Sequence, residues 1–239
     1  MKYENLILIG TSHIAAESIK EVREVVERTD PQVIAIELDK NRLQGLLEKK
    51  TRRLTFADVR HIGVKAYLFT LIASYVQKRL GKVVGVSPGS EMLEAVRLAK
   101  KRKVQLALID QDISITLKRF SKAFTWKEKF RFLADVLRGL IFRKNELKAL
   151  GIENLDLSKV PSSEIVAKLI KQVKVRYPSV YRVLIAERNN VMARNLSVLM
   201  KEFPGTIVAV VGAGHEEEII RLIKRYKDNK IEFVGKRAL

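Results

Sequence analysis

The sequence predicts an α/β protein, a mainly parallel central sheet flanked by helices and carrying a basic helical insertion. Three observations lead there. Short apolar runs alternate with segments of helical periodicity, the β-α-β pattern that produces parallel strands joined by right-handed crossovers. Two related runs, Gly10-Thr11-Ser12-His13 and Gly212-Ala213-Gly214-His215, each follow an apolar stretch of strand type. From about 114 to 160 the alternation stops, and the chain reads as two or three basic helices without a strand.

Taken in chain order, Leu6-Ile7-Leu8-Ile9 marks a first strand at 5–9, and amphipathic spacing predicts a helix over 14–29. Val33-Ile34-Ala35-Ile36 gives a strand at 33–37, followed by a helix over 40–49. A helix over 64–80 precedes a short strand at 83–86. Pro88-Gly89 then places Ser90 as the N-cap of a helix over 90–102. Leu106-Ala107-Leu108-Ile109 supplies the strand at 104–109. After the insertion come helices over 162–176 and 180–202, a strand at 206–211, a helix over 216–227 and a last strand at 231–234.

At 239 residues the chain can bury a full core as one domain, 1–239, with 114–160 inserted in it. The 47% hydrophobic and 31% charged residues are the balance of a folded protein. The absence of cysteine excludes disulfides, Cys-ligated zinc and thiol catalysis. No basic segment with a cleavage site opens the chain, and the longest apolar stretch, Ala66 to Val76, is too short for a bilayer. A cytoplasmic location is therefore expected.

The formal net charge of +19 fits either a lysine- and arginine-rich surface or a polyanion binder. The basic residues are spread over many helices without a nucleic-acid motif, so nucleic acid is not the expected partner. Residues 118–144 combine Phe120, Phe124, Trp126, Phe130, Phe132, Leu133, Leu137, Leu140 and Phe142 with nine Lys/Arg. Such a segment can bury its apolar face against protein, the preferred reading, or lie on an anionic membrane surface.

The chemistry-bearing residues gather where strands end. In a parallel sheet His13, Glu37, Asp110, Asp112 and His215 share the carboxyl edge, where open α/β sheets hold ligands. Two imidazoles and a carboxylate that converge there suit a divalent Zn, Mn, Fe or Co ion with positions left for water and substrate. Such an ion acidifies its water and polarises a carbonyl, which is a route to hydrolysis. Without a metal, one histidine would serve as general base. Arg188, in Glu187-Arg188-Asn189-Asn190, and Arg42 are candidates for steadying an oxyanion. His61 sits in a basic helical stretch as a surface residue, and Glu216-Glu217-Glu218 place acid charge at a helix N-terminus. Gly85-Val86-Ser87-Pro88-Gly89-Ser90 lacks the pattern of a phosphate loop and reads as a turn.

Together these residues resemble the TraB/PrgY family, which is related to the Tiki proteins and more distantly to erythromycin esterases. The resemblance runs through Gly10-Thr11-Ser12-His13, Ile36-Glu37-Leu38-Asp39 with Arg42, and Pro88-Gly89-Ser90-Glu91-Met92. It continues in Ile109-Asp110-Gln111-Asp112-Ile113 with Thr116-Leu117-Lys118-Arg119, Glu187-Arg188 with Met192-Ala193, and Val210-Val211-Gly212-Ala213-Gly214-His215. It implies an α/β fold with a helical insertion, and a homodimer. It also implies either metal-dependent cleavage of a peptide or acyl substrate, or non-catalytic sequestering of a pheromone-like peptide. His13, Glu37 and His215 match the family's active-site and metal positions. Arg42, Asp110, Asp112 and Arg188 match its polar surround, with Ser12, Asp110 and Asp112 expected on the substrate side. Two positions depart from the pattern: Gln111 stands where an arginine is expected, and Glu218 where a glycine is expected.

Overall fold

The computed structural model describes residues 1–11, 16–48, 89–141, 163–231 and 233. Among these, five strands form one sheet: β1 (Lys2–Tyr3), β2 (Leu6–Thr11), β3 (Val33–Ile36), β4 (Gln105–Leu108) and β5 (Ile207–Gly212). Their spatial order is β1-β2-β5-β3-β4. All pairs are parallel except the short antiparallel β1–β2 pair. The helices are α1 (Ala16–Thr29), α2 (Lys40–Leu47), α3 (Ser90–Arg102), α4 (Ile113–Ala123), α5 (Trp126–Ile141), α6 (Ser163–Arg176), α7 (Pro178–Tyr181), α8 (Glu187–Glu202) and α9 (Glu216–Asp228).

The late strand β5 lies between β2 and β3, and all six of its residues are buried. That is why Ile207-Val208-Ala209-Val210-Val211 is apolar without interruption: both faces of a covered parallel sheet must be hydrophobic. Ile207, Ala209 and Val211 point to one face and pack with Met192 and Leu196 of α8 and Ile219 and Ile223 of α9. Val208 and Val210 point to the other, onto Val22 and Val26 of α1 and Met92, Ala95 and Leu98 of α3. The sheet is thus covered by helices on both sides, as the alternating sequence pattern predicts.

Several boundaries differ from the sequence reading. The expected helix at 64–80, strand at 83–86 and His61 fall outside the described residues. The expected strand at 231–234 is corrected where it can be seen, because neither Ile231 nor Phe233 is in a strand. Ile231 instead caps the end of α9 by donating its N–H to the Tyr226 carbonyl at 2.9 Å. Phe233 packs edge-on to the Tyr226 ring at 4.9 Å, beneath the Arg194 guanidinium. Ser90 is the first residue of α3 rather than its cap. The cap is Gly89 at φ 83°, a left-handed conformation that side chains resist, with a would-be Cβ only 3.1 Å from Leu46.

Helices α4 and α5 lie within the segment read as an insertion. Leu117, Phe120 and Phe124 are buried against Val183, with Phe132 and Leu184 packed on them. This part of the aromatic-basic segment follows the protein-buried reading, whereas Trp126 and Phe130 are 68% exposed. Thr125 and Glu128 form a capping box at the start of α5: Glu128 Oε2 accepts from Thr125 Oγ1 at 2.8 Å and from the Thr125 N–H at 3.2 Å. The other Glu128 oxygen accepts the Ser179 N–H at 2.8 Å, so one carboxylate holds the first turns of α5 and α7.

Burial alone would raise the Glu128 carboxyl, but the bonds from Ser179 and Thr125 outweigh it and hold the group below its ordinary 4.5. A carboxyl depressed in the folded state stabilises above the unfolded value and loses that contribution as pH falls through the folded value. Glu128→Ala is therefore expected to cost about 1–3 kcal/mol near neutrality. The deficit should shrink in acid below 4.5, as urea titrations at several pH values would show.

Candidate active site

The strand order brings remote residues to one place. Thr11 is in register with Gly212 and Ile36 with Val210, so the carboxyl ends of β2, β5 and β3 lie side by side. Gly10 and Thr11 of the first G-x-x-H run end β2, and Gly212 of the second ends the adjacent β5, although the two runs are about 200 residues apart in the chain. The second run turns by a His215 N–H bond to the Gly212 carbonyl at 2.9 Å. Its glycines do not adopt the left-handed conformation, since Gly89 is the glycine with positive φ among the described residues. At Gly10 the need is close approach: a Cβ there would sit 2.4 Å from Glu216 Oε2 and 3.1 Å from the Ala213 Cα.

Glu37 is the first residue past β3, and it is buried. Its Oε2 accepts the Gly212 N–H at 2.6 Å, which ties the end of β3 to the end of β5. Its Oε1 accepts from Arg188 and lies 3.4 Å from His215 Nε2. On its other edge the His215 ring meets Asn189, with Nδ1 2.5 Å from Oδ1. An amide oxygen can only accept, so Nδ1 carries a proton and, in the neutral ring, Nε2 presents its lone pair toward Glu37.

Asp110, just past β4, is held by both arginines. Arg188 reaches it through Nε at 3.1 Å and Nη2 at 2.6 Å, and Arg42 through Nη2. The Asp110 side chain is fully buried. Asp39 caps α2 by accepting the Asn41 and Arg42 N–H groups at 2.9 and 3.0 Å, and its second oxygen accepts from Arg42 Nε at 2.7 Å. Burial works against the charge of Arg188, but Glu37 and Asp110 more than offset it and raise the guanidinium above its ordinary value. Three carboxylates, Glu37, Asp39 and Asp110, thus face two guanidiniums, Arg42 and Arg188, beside the His215 ring.

Of the residues expected here, Glu37, Arg42, Asp110, Arg188 and His215 are brought together. Asp112 stands at the rim and serves α4 instead, capping that helix by accepting the Ser114 N–H at 2.7 Å. That bond holds its carboxyl below the ordinary value, with help from Arg42. Ser12 and His13 lie outside the described residues. Gln111, where an arginine was expected, donates to Thr116 Oγ1 at 2.9 Å.

The residue that sequence reasoning underrated is Asn189. It is fully buried, its Oδ1 meets His215, and its Nδ2 has no hydrogen-bond partner among the described residues. Just before it the helix widens into a π-helical turn, Arg182–Ala186. Within this turn Val183 is buried toward α4, while the Leu184 carbonyl accepts from Arg188 Nη1 at 3.2 Å. A single uniform helix over 180–202 was expected, but the π turn re-phases it between the α4 contact and the site. Such turns recur at functional sites.

The described residues offer two candidate metal ligands, Glu37 Oε1 and His215 Nε2. Two ligands about 2.1 Å from one tetrahedral ion are about 3.4 Å apart, which is the separation observed. Among the described residues no group of three His, Cys, Asp or Glu side chains could hold a metal ion. The pair and the anchored Nδ1 fit a divalent cation.

The family model described as TraB/PrgY/gumN matches residues 2–233. An uncharacterized protein of Methanocaldococcus jannaschii is 34% identical over 229 residues, covering 94% of this chain and 54% of its own length. The human TraB domain-containing protein is 24% identical over 233 residues, covering 87% of this chain and 60% of that protein. The bovine TraB domain-containing protein is 23% identical with similar coverage. The chain thus spans little more than half the length of the curated relatives it matches. With a model match across nearly its whole length, the chain belongs to the TraB/PrgY/gumN family.

Proposed function

We propose that this site is that of a metal-dependent hydrolase acting on a peptide or another acyl substrate. The observation that carries the reading is the pair Glu37 Oε1 and His215 Nε2, 3.4 Å apart, with the far ring nitrogen anchored by a buried amide. Glu37 and His215, with His13 as the expected third ligand, would hold a divalent Mn, Co, Zn or Fe ion. When bound, such an ion acidifies a coordinated water and polarises an acyl carbonyl.

The protein's own residues have separable roles in this reading. Asn189 fixes the ring and proton position of His215. Arg188 turns its donors to Glu37, Asp110 and the Leu184 carbonyl, so it positions Glu37. Arg42 is the more accessible arginine, 28% exposed against 15%, and is better placed to meet a developing oxyanion. Asn189 Nδ2, without an acceptor among the described residues, supports a ligand oxygen seated beside the imidazole, since a buried donor without an acceptor costs about 1–3 kcal/mol.

The test is metal content and peptide hydrolysis of purified protein beside the His13→Ala/His215→Ala double variant. Stoichiometric metal and activity in the parent, both absent from the variant, are expected. Full metal occupancy in the folded double variant would remove the proposal. A second reading, capture of a peptide without cleavage, draws on the fact that both Glu37 oxygens already accept N–H donors. Recovery of bound peptide intact after long incubation with metal would favour it.

A further inference from the structure

Outside the carboxyl edge, the least conventional surface is the outer face of α4 and the start of α5. On α4, Ile115, Lys118, Arg119 and Lys122 are all exposed, at spacings of three and four that put them on one face. On α5, Trp126, Lys127 and Phe130 are exposed. Trp126 and Phe130 lie one turn apart with ring centroids at 6.2 Å, and the Lys129 ammonium sits 4.1 Å over the indole. The inner faces of the same helices hold Leu117, Phe120 and Phe124 in the core, so these rings are exposed although apolar packing was close by.

Charge selects the occupant of this face. From Ile113 to Ala134 there are six Lys/Arg and one acid, Glu128, which is buried and engaged in capping. A second copy would set the same cations against each other in a two-fold contact. A nucleic acid offers phosphates but no apolar medium for Ile115 and Phe130. A bilayer with anionic headgroups offers both: charge for the lysines, and an interfacial layer for tryptophan and phenylalanine.

We propose that the α4–α5 face, with Trp126 and Phe130 as its inserted side chains, is a docking surface for anionic lipid membranes. It does not depend on the hydrolase reading.

The chain carries its own probe, since its single tryptophan is Trp126. The whole chain is mixed with phosphatidylcholine vesicles with or without phosphatidylglycerol. Tryptophan emission, quenching by lipids brominated on the acyl chain, and co-sedimentation are then followed as potassium chloride rises. The expected result is blue-shifted, bromine-quenched emission with anionic vesicles only, with binding that weakens as salt rises. Lys122→Glu/Lys127→Glu should weaken binding about tenfold or more. Phe130→Glu should abolish the blue shift while the circular dichroism spectrum stays that of the parent, because that ring is exposed. Emission unchanged by anionic vesicles at low salt overturns the proposal, as does sedimentation without bromine quenching. A blue shift from self-association alone, or from an RNA oligonucleotide with no response to lipid, also overturns it.

Discussion

Arg188→Met is expected to destabilise the protein by about 3–5 kcal/mol, because it removes the guanidinium bonded to the buried Glu37 carboxylate. At roughly 2–4 °C per kcal/mol for a chain of this size, the melting midpoint should fall by roughly 10 °C. The reasoning starts from burial. The side chains of Asp110 and Glu37 are at most 3% exposed, and Arg188 bridges both. Arg42 still reaches Asp110 in the variant, whereas Glu37 loses the guanidinium bonded to it. Glu37 then keeps the Gly212 N–H on one oxygen without the cation that balanced its charge. Adding Glu37→Gln to Arg188→Met should recover part of the loss, since the buried charge is then absent. Thermal melts of the single and double variants decide it. An Arg188→Met midpoint within a degree or two of the parent would mean that the cluster does not hold these strand ends together.

Much of this cluster can be read from the chain, and the exceptions have physical causes. Glu37, Asp110 and His215 each follow closely on a strongly apolar run, so strand ends and acidic or basic side chains coincide in the sequence. Parallel pairing then forces them to one edge. The order β2-β5-β3 is not local information, because nothing in Ile207-Val208-Ala209-Val210-Val211 names its neighbours. That run shows only that both of its faces are buried. The division of labour among nearby polar groups is hidden for the same reason. Asp39 rather than Glu37 caps α2, and Asp112 caps α4, although all three acids follow strands in similar ways. The π turn at Arg182–Ala186 leaves no composition signal, since RVLIA reads as ordinary helix. It is needed because Val183 must enter the α4 contact while Arg188 and Asn189, a turn later, must enter the site.

Asn189→Leu should keep the fold and lower metal affinity by about 10–100-fold, the usual effect of losing the group that orients a ligand imidazole. The substitution keeps the branched shape of the side chain but removes the amide oxygen that His215 Nδ1 meets. The ring can then carry its proton on either nitrogen, and the form with Nε2 protonated cannot bind a metal through that atom. Nitrogen-15 spectra of the imidazole test this without reference to catalysis. The parent should show a neutral ring protonated at Nδ1, and the leucine variant a mixture of both tautomers. Asn189→Asp separates orientation from mere packing. It restores an acceptor at Nδ1 and adds a charge that favours the doubly protonated ring, so metal should compete less well as pH falls. If the leucine variant keeps the parent's nitrogen spectrum and metal affinity, the buried amide only fills space. The Glu37–His215 pair would then hold its geometry by packing alone.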